Sequence, residues 1–211
     1  MAESDKKVVS VTMTGFGPFM DIKTNPSWTV VQGAAKVLSE NTDLKLVSVQ
    51  ELTVVYADVS KKVKEMHVEF KPDLAIHVGV AKGYANITIE SQSVRSGYSI
   101  EDVSGCTPPK FEAVCDAVKP PNECITTAID TKEIHKHCSD KLAGKVGFKL
   151  STDPGLYLCG FCYYTSLYCN TSALFIHIPD EDEPYSIEEM VKSLVLIVEH
   201  AVQQIKHKLL H

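Results

Sequence analysis

Three residues in separate stretches of this 211-residue chain carry side chains that could act as a nucleophile, a base and an orienting carboxylate. Cys159 follows Asp153-Pro154-Gly155, a turn-forming triplet, and sits at a predicted loop-to-helix junction. Backbone N–H groups at a helix N-terminus favour negative charge, so they can both activate a thiol and donate to an oxyanion. His177 lies in Phe175-Ile176-His177-Ile178-Pro179, an apolar run that ends at a proline. Glu90 closes Ile87-Thr88-Ile89-Glu90. Taken singly, each has an ordinary structural explanation: a small buried thiol, a satisfied core histidine, a solvated strand end. Taken together they supply the logic of a triad, in which a base activates the nucleophile and a third group orients the base.

Strands and helices on separate parts of the chain must bring these residues together. Residues 8–16 form a β-branched run that ends in Gly15-Phe16-Gly17-Pro18-Phe19, predicting a buried strand that delivers a loop. Asn25-Pro26-Ser27 then opens a helix, and apolar residues recur with helical spacing from Trp28 to Leu38. A strand region is expected over 44–55, broken at Glu51, followed by a helix over 59–70 that Lys71-Pro72-Asp73 stops. Further strands are predicted over 74–80, 85–90, 145–150 and 172–178, and helices over 131–143, 157–168 and 187–209. Residues 91–111 read as polar, and 98–124 as an irregular, loop-rich segment with short ordered pieces. Alternation of β and α regions implies a single α/β domain over 1–211, with a mostly parallel or mixed sheet covered by helices on both faces. Residues 1–7 are expected to be flexible.

Composition narrows the function. The formal net charge is −6, and no cluster of Lys and Arg is available to hold a phosphate backbone, so nucleic acid is not an expected partner. The opening MAESDKKVVS is charged where a secretory signal would be apolar, and no apolar run approaches the roughly 20 residues that span a bilayer. Seven cysteines, an odd number in a chain of this length, point to reduced thiols. The expectation is a cytoplasmic protein with no membrane partner. Cys106, Cys115 and Cys124 recur every nine residues, whereas zinc sites usually supply a close ligand pair, so no metal is expected. Cys159 and Cys162 have Cys-x-x-Cys spacing at a helix start, which leaves open a thiol-redox protein. A catalytically silent binding protein of the same fold is the other alternative.

Several separated blocks resemble the pyroglutamyl-peptidase I family of cysteine peptidases, in its animal-type branch. Thr14-Gly15-Phe16-Gly17-Pro18-Phe19 with Asn25-Pro26-Ser27-Trp28 is similar to its N-terminal signature. His77-Val78-Gly79-Val80-Ala81 leading to Ile87-Thr88-Ile89-Glu90 resembles the segment with its catalytic glutamate. Asp153 to Cys159, then Tyr163-Tyr164-Thr165-Ser166-Leu167-Tyr168, is similar to the nucleophile block, and residues 175–179 to the histidine block. In order, the blocks cover about 8 to 205, and their combination is far more specific than any one of them. The resemblance implies catalytic roles for Cys159, His177 and Glu90. It also implies aromatic walls at Phe16 and Phe19, a phosphorylase/hydrolase-like α/β/α fold, no cofactor, and N-terminally pyroglutamylated peptides as substrates. Cys162 departs from the pattern, and 98–124 has no residue-level match, which leaves Asp102, near a family acidic position, as a supporting residue only.

Overall fold

The β-branched run at the start forms β1 (Val9–Phe16), and the chain then turns through Gly17-Pro18 into α1 (Pro26–Leu38). Asn25 caps α1: its Oδ1 accepts from the Ser27 amide at 3.1 Å, and its Nδ2 donates to the Gly17 carbonyl at 3.0 Å. Ser27 Oγ accepts from the Phe16 amide at 3.0 Å, so one cap fastens both the helix start and the end of β1. There follow β2 (Leu44–Leu52), α2 (Tyr56–Phe70), β3 (Leu74–Val80), β4 (Ile87–Glu90) and β5 (Gln92–Val94). The chain continues with β6 (Cys124–Thr126), α3 (Thr131–Lys141), β7 (Phe148–Ser151), α4 (Leu158–Cys169), β8 (Ala173–Ile178) and α5 (Ile187–Leu209). The computed structural model describes residues 8–19, 24–114, 122–180 and 184–209. Residues 1–7, expected to be flexible, and Cys115 lie outside the described residues.

The main sheet has the order β2-β1-β3-β8-β4-β7. β2, β1, β3 and β8 run parallel, and β4 pairs with β8 antiparallel and with β7 parallel. This is the mostly parallel, mixed α/β sheet expected. Helices α1, α3 and α5 cover one face and α2 and α4 the other. Helix α4 is buried along nearly its whole length, from Leu158 to Leu167, so apolar and aromatic residues lie all round it, and the hydroxyls of Thr165 and Ser166 are hydrogen-bonded.

β4 and β7 begin at Ile87 and Phe148 rather than at 85 and 145. Three further differences from the sequence expectation come from tertiary contacts. β2 runs through Glu51 to Leu52, since it is the edge strand and the exposed Glu51 reaches water. Helix α2 begins at Tyr56 rather than 59, because Asp102 from a distant loop accepts a hydrogen bond from the Tyr56 amide at 2.9 Å. The polar stretch after 90 contains β5, which pairs antiparallel with β6 as a separate two-stranded sheet.

Candidate active site

Strand register puts the site on the α4 side of the sheet, at the carboxyl ends of the parallel strands. One row across the sheet reads Thr14, His77, Phe175, Glu90, and the next contains Gly79, His177 and Thr88. Glu90 and His177 are therefore diagonal neighbours on one face of an antiparallel pair, within reach of long side chains. Glu90 Oε1 accepts from or shares a proton with His177 Nδ1 at 2.9 Å. This bond fixes the imidazole so that Nε2 is left for the thiol. Both residues are buried, Glu90 completely. Its second oxygen, Oε2, has no hydrogen-bond partner among the described residues.

Gly79 is paired with His177 in the sheet, and a Cβ there would lie 3.0 Å from Cys159 Sγ and 2.9 Å from the Phe175 ring. The missing side chain is the space into which the thiol drops. Cys159 is the second residue of α4, and Tyr157 is its N-cap. A helix start leaves the amides of Leu158, Cys159 and Gly160 without intrahelical acceptors, and no acidic side chain in the first turn competes with them. Gly160 permits the preceding turn to close on the helix: a Cβ there would meet the Gly155 carbonyl at 2.0 Å.

Electrostatics couple the three groups. Burial disfavours a charged His177, but the charge of Cys159 and its hydrogen bond, together with the hydrogen bond and charge of Glu90, outweigh it. The imidazole is pushed up to about 9. A histidine that holds a proton this readily can draw one from a thiol and later deliver it to a leaving group. Beside Cys159 a small cavity is lined by Phe16, Phe19, Asn25, Val54, Val80, Tyr157 and Leu158. Phe16 and Phe19 thus line the same cavity as the thiol. Tyr157 is an addition that sequence reasoning passed over: its hydroxyl is buried and has no partner among the described residues. An aromatic residue two positions before Cys159 was its visible signal.

The remaining candidates lie elsewhere. Asp102 is an anchor: burial raises its carboxyl, but the hydroxyl of Ser104 and then the amides of Tyr56, Cys106 and Ser104 donate to it and hold it below the usual range. Cys162 is fully buried beneath α4, with Sγ 3.6 Å from His77 Nδ1, and burial followed by the charge of Cys159 drives its thiol well upward. Such a thiol is a poor exchange partner, so the redox reading finds no support. Cys106 and Cys124 are free and exposed. Among the described residues no group of three His, Cys, Asp or Glu side chains could hold a metal.

The family model of pyroglutamyl peptidase matches residues 9–207. The chain belongs to the pyroglutamyl peptidase family. It is 33% identical over 192 residues to human pyroglutamyl-peptidase 1, covering 90% of this chain and 88% of that protein. With the pyrrolidone-carboxylate peptidase of Thermococcus onnurineus it shares 29% identity over 92% of its length and 100% of the relative's. The fold matches a mutant pyrrolidone carboxyl peptidase from Pyrococcus furiosus with a TM-score of 0.80 and 25% identity, over 92% of this chain and 99% of that one. Family membership therefore extends over the sheet, α4 and the Glu90–His177–Cys159 cluster alike. No helix among the described residues is long and apolar enough to cross a membrane.

Proposed function

We propose that this pyroglutamyl peptidase family member is a cysteine peptidase that removes an N-terminal pyroglutamyl residue from peptides, with Cys159 as nucleophile, His177 as base and Glu90 as the group that orients His177. The observation that carries the reading is the buried His177, bonded to Glu90 through Nδ1 and raised by the charge of Cys159, whose thiol stands at the wall of a small aromatic cavity. His177 takes the thiol proton, and the sulfur attacks the carbonyl that joins pyroglutamate to the next residue. Amides at the start of α4 stabilise the oxyanion, each donor worth about 3 kcal/mol in comparable sites. His177 then gives its proton to the leaving amine, and water attacking the thioester with His177 as base releases pyroglutamate.

Phe16 and Phe19 form the walls for the flat lactam, and Tyr157 supplies a buried hydroxyl for one of its polar atoms. Open-chain glutamine or glutamate would bring a charged ammonium into this apolar cavity, and proline would leave polar groups unpaired. A nucleophilic thiol works in a reducing compartment, so we place the enzyme in the cytoplasm, as one peptidase domain acting on pyroglutamylated peptides. The test is fluorophore release from a pyroglutamyl amide in the presence of reductant. Cleavage should exceed that of the prolyl, glutaminyl and glutamyl analogues by at least about a hundredfold in kcat/KM. Comparable rates on all four would overturn the reading.

A further inference from the structure

The sheet order separates the two halves of a substrate bound at Cys159. The thiol stands over Gly79 of β3, the cavity wall Phe16 belongs to β1 on one side, and His177 and Glu90 lie on β8 and β4 on the other. On the peptidase reading the pyroglutamyl ring fills the β1 side. The leaving amine must come within hydrogen-bond reach of His177 to collect its proton, so the second residue of the peptide falls on the β8–β4 side.

Beside the buried Phe175 of β8, a more exposed aromatic ring borders His177 on that side, Tyr84. It sits in the connection from β3 to β4, where its amide donates to the Ala81 carbonyl at 3.1 Å. Its ring centroid is 5.9 Å from that of His177, with the planes at 61°. Tyr84 is 38% exposed, so a ring beside a buried imidazole still offers apolar area to a ligand. The phenol is also raised by burial and then by the charges of Glu90, Asp153 and Cys159. Those charges come from β4, from the turn before α4 and from Cys159, and the ring contact with His177 puts Tyr84 on the leaving-group side of the site.

We propose that Tyr84 is the specificity residue for the second position of the peptide, and that the enzyme prefers pyroglutamyl substrates whose second residue is apolar or aromatic. The inference rests on the peptidase reading above. An aromatic face that covers part of one side chain, without enclosing it, supports a preference of about tenfold for phenylalanine over glycine. The phenol oxygen is not needed for it, because the contact is with the ring.

A competition assay settles it. Pyroglutamyl-phenylalanine amide and pyroglutamyl-glycine amide are mixed, and both products are followed in one reaction, so that the ratio of kcat/KM values is independent of enzyme amount. The wild-type ratio should be about ten, that of Tyr84→Phe about the same, and that of Tyr84→Ala should fall to about two. A wild-type ratio near one, or a ratio unaltered in Tyr84→Ala, overturns the proposal. Equal losses on both peptides with a displaced pH profile would do so too, since Tyr84 would then be positioning His177. If the wild-type protein cleaves neither peptide, the peptidase reading itself fails, and this inference with it.

Discussion

The two faces of the central sheet bury different chemistry. Against α1, α3 and α5 the strands present Val9, Val11, Met13, Leu74, Ile76, Val78, Leu174 and Ile176, and the helices answer with aliphatic residues such as Val30, Leu194, Ile197 and Val198. Against α2 and α4 the alternate positions of these strands and of β4 are Thr12, Thr14, His77, Phe175, His177, Thr88 and Glu90, under an aromatic layer of Tyr56, Tyr98, Phe161, Tyr163 and Tyr164. Three buried polar atoms of this second face, Thr12 Oγ1, His77 Nε2 and Glu90 Oε2, have no partner among the described residues. An unpaired buried polar group costs stability, on the order of 1–3 kcal/mol. The first face supplies stability, and the second gives some of it up to buried polar groups, of which the proposed reaction uses Glu90.

That division is broken most directly by one substitution on each face. Cys159→Ala should lower kcat by about 10⁴-fold or more while the urea midpoint hardly moves. Leu194→Ala, which empties a fully packed aliphatic position, should cost about 2–5 kcal/mol of stability and leave kcat per folded molecule close to the wild-type value. Equilibrium unfolding and active-site-normalised kinetics on the two proteins would separate the effects. If both variants lost stability and activity together, the two faces would not be distinct.

Glu90→Gln comes next. The substitution keeps the shape and the contact to His177 Nδ1, but an amide can hold the imidazole in the wrong tautomer and no longer stabilises its charged form. Turnover should fall by about 10²–10⁴-fold with KM little changed. A variant with normal kcat would remove Glu90 from the reaction.

Much of this arrangement could be read from the sequence, and the limits have physical causes. β3 and α5 are legible because their patterns are local: a continuous apolar run for a strand buried on both faces, and a long 3.6-residue period for an amphipathic helix. The separate positions of Cys159, His177 and Glu90 were legible as candidate chemistry, and family blocks joined them. The register that makes Glu90 and His177 diagonal neighbours was not, because antiparallel pairing of β4 with β8 is a long-range choice. The start of α2 was hidden for the same reason, since its cap, Asp102, is 46 residues away. Tyr84 and Tyr157 were passed over because aromatic residues beside loops have no periodic signature.

Within the second face, pH distinguishes a reactive histidine from a structural one. Burial, followed by the charge of His67, lowers His77 to about 3, and burial lowers His67 to about 4, so both are neutral when folded and take up protons on unfolding below their ordinary value of 6.5. Their contribution to stability is full above pH 6.5 and is lost as pH falls towards 4 and then 3. His177 works in the opposite sense: its raised value contributes stability below 6.5 that is lost as pH rises through about 9. From pH 6.5 to 4.5, His77 alone should remove about 2–3 kcal/mol. His77→Gln, able to keep the bond that Thr14 Oγ1 makes to Nδ1 at 2.7 Å, should flatten the acid limb of urea-measured stability by about one proton. An acid limb of unchanged slope would place the titration elsewhere.

The smallest effect is expected at Cys162, one helical turn from Cys159. The two thiols share α4, yet Cys159 opens towards the cavity and Cys162 is sealed beneath the helix against His77. A disulfide between them would require Cys162 to leave its packing, and its raised thiol leaves little thiolate to attack an oxidised Cys159. Iodoacetamide should therefore modify Cys159 in the native protein and spare Cys162 until the chain unfolds. Cys162→Ala should cost about 1 kcal/mol of stability through the small void it leaves, with kcat within about twofold of the wild type. Peroxide should inactivate wild type and variant along the same course, with the same recovery in dithiothreitol. A wild-type enzyme that recovers fully, beside a Cys162→Ala enzyme that does not, would mean that α4 opens far enough for the pair to bond. Cys162 would then protect the nucleophile, and the boundary between packing and chemistry would run one turn deeper into the helix.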